Sequence, residues 1–251
     1  MDSKGTGITL GLGLLVAFIG YILWQVTIGF NTASDDIATI LTNSADGSAI
    51  LQISTILISV GLVAHIGGLI STRGTASGTL ESLGIVSIAG ATVIWVGSSG
   101  LGLSLMEMGE SFVAASAGAG AAAAAGDAAT AAAHGATATT IATAGGYIQA
   151  ISVGGGSIGA LLAGIGWLCI GLAYRGSDVK GALSFIPMAW LAILQGLVLI
   201  VAILIINTVI DVDTGNQVQG IGFLLIVIWS LLRGIKSVSY THLTLPTNRE
   251  V

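Results

Sequence analysis

Very little of this chain is charged. Asp, Glu, Lys and Arg make up 8% of its 251 residues, against about a quarter in soluble domains. With 54% hydrophobic residues and a mean hydropathy of +0.97, that shortage excludes an ordinary water-soluble domain and points to a membrane protein. Lysine and arginine number only seven and form no basic patch, which excludes a nucleic-acid partner. The single cysteine, Cys169, excludes an intrachain disulfide framework and a multi-cysteine metal site. HExxH, GxSxG and Walker-type motifs are all missing, so the usual hydrolase and phosphate-binding chemistries lack their residues. No apolar stretch holds a central lysine for a retinal Schiff base, and none holds a second histidine for bis-histidine haem. No cofactor is expected, and no enzymatic activity.

What is abundant is glycine, 38 residues against two prolines, as expected where helices approach closely without a hydrophobic drive from lipid. Apolar runs long enough to cross about 30 Å of hydrocarbon occur near residues 8–30, 49–71, 83–106, 147–174 and 182–210, with a shorter sixth at 218–232. These predict one transmembrane domain over residues 1–237, an all-α polytopic bundle of six helices. Lys4, Arg73, Arg175, Lys180, Arg233 and Lys236 then fall on one side. Asp35, Asp36, Asp46, Glu107, Glu110, Asp127, Asp211 and Asp213 fall on the other. The excess of bases marks the cytoplasmic side, so the N-terminus and the native end are expected inside, in the plasma membrane. The lipid bilayer is the expected partner, with homo- or hetero-oligomers possible within it.

The stretch 107–146 is expected to be an external alanine-rich loop. Its centre, 114–140, has 16 alanines in 27 residues and none of Leu, Ile, Val, Phe, Met or Trp. It therefore lacks the residues that supply insertion energy, and its glycines and threonines argue against a rigid helix. Trp167, Trp190 and Trp229 fall near the inner boundary and Trp24 near the outer one, the expected place for interfacial rings. Trp95 is mid-span and is expected to pack against another helix.

Three sets of residues are candidates for function. His65, Gln195 and Cys169 fall at similar depth on three spans, and an ionisable group inside a membrane is a functional-site candidate. The alternative is a neutral histidine bonded between helices. Gln52, Gln149 and Gln219 open spans two, four and six, which also end alike ("IGGLISTRG", "IGLAYRG", "SLLRG"). That similarity allows three hairpin repeats with a polar ring near the outer face. Gly7 with Gly11, and Gly155 with Gly159, form small-xxx-small packing faces, although "GGGS" at 154–157 could instead be an unwound hinge. The acidic pairs at span ends could attract cations, but the same pattern follows from topology, and no metal site is expected.

Residues 238–247 read VSYTHLTLPT. This resembles, residue for residue, the translation of GTC TCT TAT ACA CAT CTG ACG CTG CCG ACG, the end of a transposase-type sequencing adapter. Val238–Val251 is expected to be adapter read-through, so His242, Pro246, Arg249 and Glu250 carry no functional reading. The native chain is expected to continue past Ser237. Two classes of function suit the whole: a small-solute or ion transporter or channel, and a non-catalytic structural or assembly subunit of a membrane complex.

Overall fold

The computed structural model describes residues 3–76, 78–177 and 179–243, with side chains for residues 4–76, 78–177 and 179–238. Among them every element is helical. The chain forms α1 (Ser3–Ile28), α2 (Ile37–Asp46), α3 (Ser48–Ile70), α4 (Thr79–Ala124), α5 (Ala128–Tyr174), α6 (Met188–Val201), a π-helical turn (Ala202–Ile206), α7 (Asn207–Val209) and α8 (Val212–Leu243).

Six of these stretches are long and apolar enough to cross a membrane, as the sequence predicts. At most half of any crossing window is buried, and large apolar side chains such as Val86, Val93, Ile56 and Val60 stand exposed. A helix that is apolar all round has hydrocarbon as its solvent. The protein is an all-α, multi-pass integral membrane protein.

The alanine-rich segment is a correction. It is not an irregular loop: α4 runs 46 residues and α5 runs 47. At 1.5 Å per residue each is about 70 Å long, more than twice the hydrocarbon thickness. Alanine has the highest helix propensity, and it outweighs the scattered glycines. The threonines are accommodated in it: Thr137, Thr139, Thr140 and Thr143 each donate a hydroxyl to the carbonyl four residues back. The hairpin turns at Ala125, Gly126 and Asp127, where Gly126 takes φ +77°. Asp127 then caps α5 through Thr130 N at 3.0 Å.

Four smaller differences follow from local chemistry. The fifth crossing begins at Met188 rather than near 182, because Pro187 stands at its N-cap and the residue before a proline avoids helical geometry. The sixth reaches back to Val212. "GGGS" is not unwound: α5 passes through it, and Gly156 O also accepts from Trp95 Nε1 at 3.3 Å, so Trp95 packs against a neighbouring helix as expected. α2 was not foreseen. Its signal is Asp36, which accepts from Thr39 N, followed by Ile37, Ile40, Leu41 and Ser44 on one helical face. The adapter-like stretch continues α8 through Leu243, and Thr244–Val251 lie outside the described residues.

The chain divides into two compact units. The first, from Met1–Phe18, Ser59–Val93 and Ile158–Val251, contains every described Lys and Arg. Its helices pack antiparallel through glycines. A Cβ on Gly7 would strike Gly234 O (α1 on α8), one on Gly61 would strike Ala17 N (α3 on α1), and one on Gly84 would stand 2.7 Å from Gly166 O (α4 on α5). On Gly196 it would stand 2.6 Å from Leu168 N (α6 on α5). Antiparallel neighbours bring Lys4, Arg73, Arg175, Lys180, Arg233 and Lys236 to one end of this unit. The second unit, Ile19–Ile58 and Ile94–Ser157, contains α2 and the hairpin. Its core is Ile28, Ile40, Leu41, Leu51 and Leu105, joined by Trp24, Met108, Phe112 and Ile148.

Candidate functional site

His65 lies on α3, an apolar helix that α1 approaches so closely that a Cβ on Gly13 would stand 2.7 Å from His65 N. The approach places Leu10 O 2.9 Å from His65 Nδ1. The ring is 2% exposed, and its Nε2 has no hydrogen-bond partner among the described residues. Against it lies Trp167 of α5, at a ring-centroid distance of 6.3 Å. Trp167 meets Trp229 of α8 edge-on at 4.8 Å, and Trp229 stacks on Tyr174 at 6.4 Å. Trp229 Nε1 donates to Met188 O at 3.0 Å. Trp167 and Trp229 are therefore core residues and not the interfacial rings that their sequence positions suggest. Trp190 remains exposed, with the Arg175 guanidinium 4.9 Å above its ring, as suits an interface.

The ladder of rings ends at Glu81, which sequence reasoning passed over as an unremarked acid at the start of a span. It is 2% exposed. Its Oε2 accepts from Gly74 N at 2.7 Å, and its Oε1 accepts from Ala76 N at 3.3 Å and from Tyr174 Oη at 3.2 Å. A buried carboxylate persists only when hydrogen-bonded. Glu81 fastens the segment after α3 to the end of α5.

Gln195 of α6 is fully buried, and neither its Nε2 nor its Oε1 has a partner. Its neighbour Gly196 presses on Leu168 N, one residue beyond the Trp167 that faces His65. Cys169 follows on the same turn as a buried free thiol. Of the three residues predicted to share a depth, His65 faces Trp167 and Cys169 lies on the same turn of α5, while for Gln195 it is the backbone of the next residue, Gly196, that comes close to this turn; among the described residues no hydrogen bond joins any two of them. Ser230 of α8, absent from the sequence reading, is another fully buried group whose Oγ has no partner. A lone serine in an apolar run gives no sequence signal.

The other candidates are engaged locally. Gln52 directs its amide at Met106 Sδ, 3.6 Å away, Gln219 donates to Asn216 Oδ1 at 3.0 Å, and Gln149 is buried. Gln52 and Gln149 belong to the hairpin unit and Gln219 to the other. Gly7 and Gly11 are buried on α1 and pack against α8; Gly155 meets Ser98 Oγ, and Gly159 is buried on α5.

Three of the acids are helix caps. Asp127 accepts from the Thr130 hydroxyl at 2.7 Å as well as from Thr130 N, and Asp211 accepts from Thr214 N and its hydroxyl at 2.6 and 2.9 Å. These bonds hold both carboxyls below the usual carboxylate range: for Asp127 chiefly the Thr130 hydroxyl, for Asp211 chiefly the Thr214 amide. Among the described residues, no three His, Cys, Asp or Glu side chains are grouped to hold a metal ion.

Compared with known proteins, the chain matches no protein-family model, no curated protein and no solved structure.

Proposed function

We propose that this protein passes a small polar solute across a membrane, as a transporter or channel, through the unit that contains His65, Trp167 and Gln195. One observation carries the reading: Gln195 is wholly buried with both carboxamide atoms unpartnered. A buried amide without hydrogen bonds costs about 2–7 kcal/mol depending on the reference state. A helix whose only task is packing has no use for such a residue, and leucine would serve it better. A path for a polar solute needs groups of this kind. The π-helical turn at Ala202–Ile206 on the same crossing is the sort of irregularity that accompanies functional sites. The orientation that goes with this reading puts the basic end in the cytoplasm, with the N-terminus inside, in the plasma membrane.

A structural or assembly subunit is the second reading, favoured by the long hairpin of small exposed residues. The two separate in purified proteoliposomes. Transport predicts that formamide, urea or glycerol gradients relax faster than in protein-free vesicles, and that Gln195→Leu removes the difference while far-UV circular dichroism and monodispersity hold. Relaxation at the lipid rate for every solute and for small ions sinks the transport reading. Labelling single cysteines at Arg73 and Ala132 with an impermeant thiol reagent, in a Cys169→Ala background in intact cells, tests orientation. The proposal requires the second to react and the first not to.

A further inference from the structure

We infer that His65 presents a bare Nε2 lone pair to a small uncharged ligand that donates a hydrogen bond, such as a primary amide or an alcohol. This deepens the transport reading by naming the class of solute at its site, and it rests on that reading only for the claim that the ligand is carried across.

One group beside His65 has no choice of role. Leu10 O is a backbone carbonyl and can only accept, so the 2.9 Å contact places the hydrogen on His65 Nδ1. A neutral imidazole has one N–H, and Nε2 is therefore an acceptor. It is buried and has no partner. Nothing nearby supplies a donor or a balancing charge. Glu81, the buried carboxylate of this unit, is at the far end of the Trp167–Trp229–Tyr174 ladder and is itself bonded by Gly74 N, Ala76 N and Tyr174 Oη. The bases lie at the basic end. Desolvating an ion beside His65 would go uncompensated, so the ligand is uncharged.

Its hydrogen-bonding pattern follows from the groups left open. Nε2 requires a donor, and a ligand that brings one N–H or O–H supplies it. Formamide fits this description; N,N-dimethylformamide does not.

The test uses the full chain in lipid nanodiscs with ¹⁵N-labelled histidine. His65→Asn is the informative variant: an asparagine amide replaces the Nδ1 donor to Leu10 O but puts no atom at Nε2. The resonances lost in this variant belong to His65, because the other two histidines of the chain remain. The expected result is an unprotonated Nε2 whose shift moves saturably with formamide. It should stay still with N,N-dimethylformamide, which accepts but cannot donate. His65→Asn should lower formamide flux in proteoliposomes roughly tenfold, the worth of one hydrogen bond. A protonated Nε2, an equal response to both amides, or a resonance that answers to solvent isotope alone (a site holding water only) overturns the inference. Saturable binding without flux overturns the transport reading and leaves the site standing. Flux that survives unchanged in His65→Asn does the reverse.

Discussion

The two compact units have similar apolar composition and are held together in different ways. In the basic-end unit, glycines bring backbones into contact and the polar groups between helices pair across long stretches of sequence, or fail to pair. In the hairpin unit, a small cluster around Leu41 and Leu105 anchors two helices that beyond Phe112 and Ile141 rely on alanine's propensity and on Thr and Asp bonds within a turn. A glycine has two opposite meanings, and its surroundings rather than its unit decide which, since Gly20 and Gly109 of the hairpin unit also meet neighbouring backbone. Where a neighbouring backbone occupies the Cβ position it is required for packing. Where nothing lies nearby it is a weak point in a helix.

That contrast can be broken by experiment, and the largest effect belongs to the basic-end unit. Gly61→Leu drives a side chain into Ala17 and Gly13 backbone. It should cost about 3 kcal/mol or more in SDS-induced unfolding, the upper range for overpacking; a loss under 1 kcal/mol means the close approach of α1 and α3 is wrong. Next, Glu81→Ala leaves Tyr174 Oη and the Gly74 and Ala76 amides without their acceptor, for an expected loss of about 2 kcal/mol in the same assay. Gln195→Leu should move the other way: removing an unpaired amide stabilises the fold by about 1 kcal/mol, and destabilisation would mean the carboxamide has a protein partner. On the hairpin, Gly120→Ala and Gly135→Ala meet nothing within 4 Å. Each should gain about 0.5–1 kcal/mol of local helix stability, read as slower amide exchange in the flanking turns. The same change costing stability there would erase the distinction between packed and open glycines.

The smallest effect is the acid response of the hairpin turn. Asp127 has its carboxyl lowered by Thr130, so its cap contribution is complete above the unfolded-state value and fades as pH falls through the lower folded value. Amide exchange at Ala128–Thr130 should accelerate only below the ordinary carboxylate range, and Asp127→Asn should remove that dependence. Acceleration already near pH 5 would assign the turn's stability to another group.

Particular residues show how far sequence reading reached. Apolar length and the placement of six bases led to the number of crossings without reference to any contact. Asp36 and Asp211 read as span-end acids and Asp127 as a charge within the alanine-rich tract; each is followed three residues later by the threonine it bonds, a local pattern that marks a helix start. In the alanine tract the glycines and threonines argue against a rigid helix, and alanine's propensity outweighs them; the shortage of insertion energy bears on burial in lipid and not on helix. His65 was singled out for its depth, yet its partner Leu10 lies 55 residues away. Glu81 attracted no notice, because Tyr174 is 93 residues distant.

By itself the sequence determined residence in a membrane, an even count of crossings and the gathering of bases at one end, since each follows from transfer energies summed along a short window. Tertiary structure decided which buried polar groups are satisfied. Glu81 finds three donors; Gln195, the His65 Nε2 and Ser230 find none. Hydropathy is a property of neighbours along the chain, whereas a hydrogen bond needs two groups within about 3 Å whatever their separation in sequence, and only the packing of helices settles which groups meet.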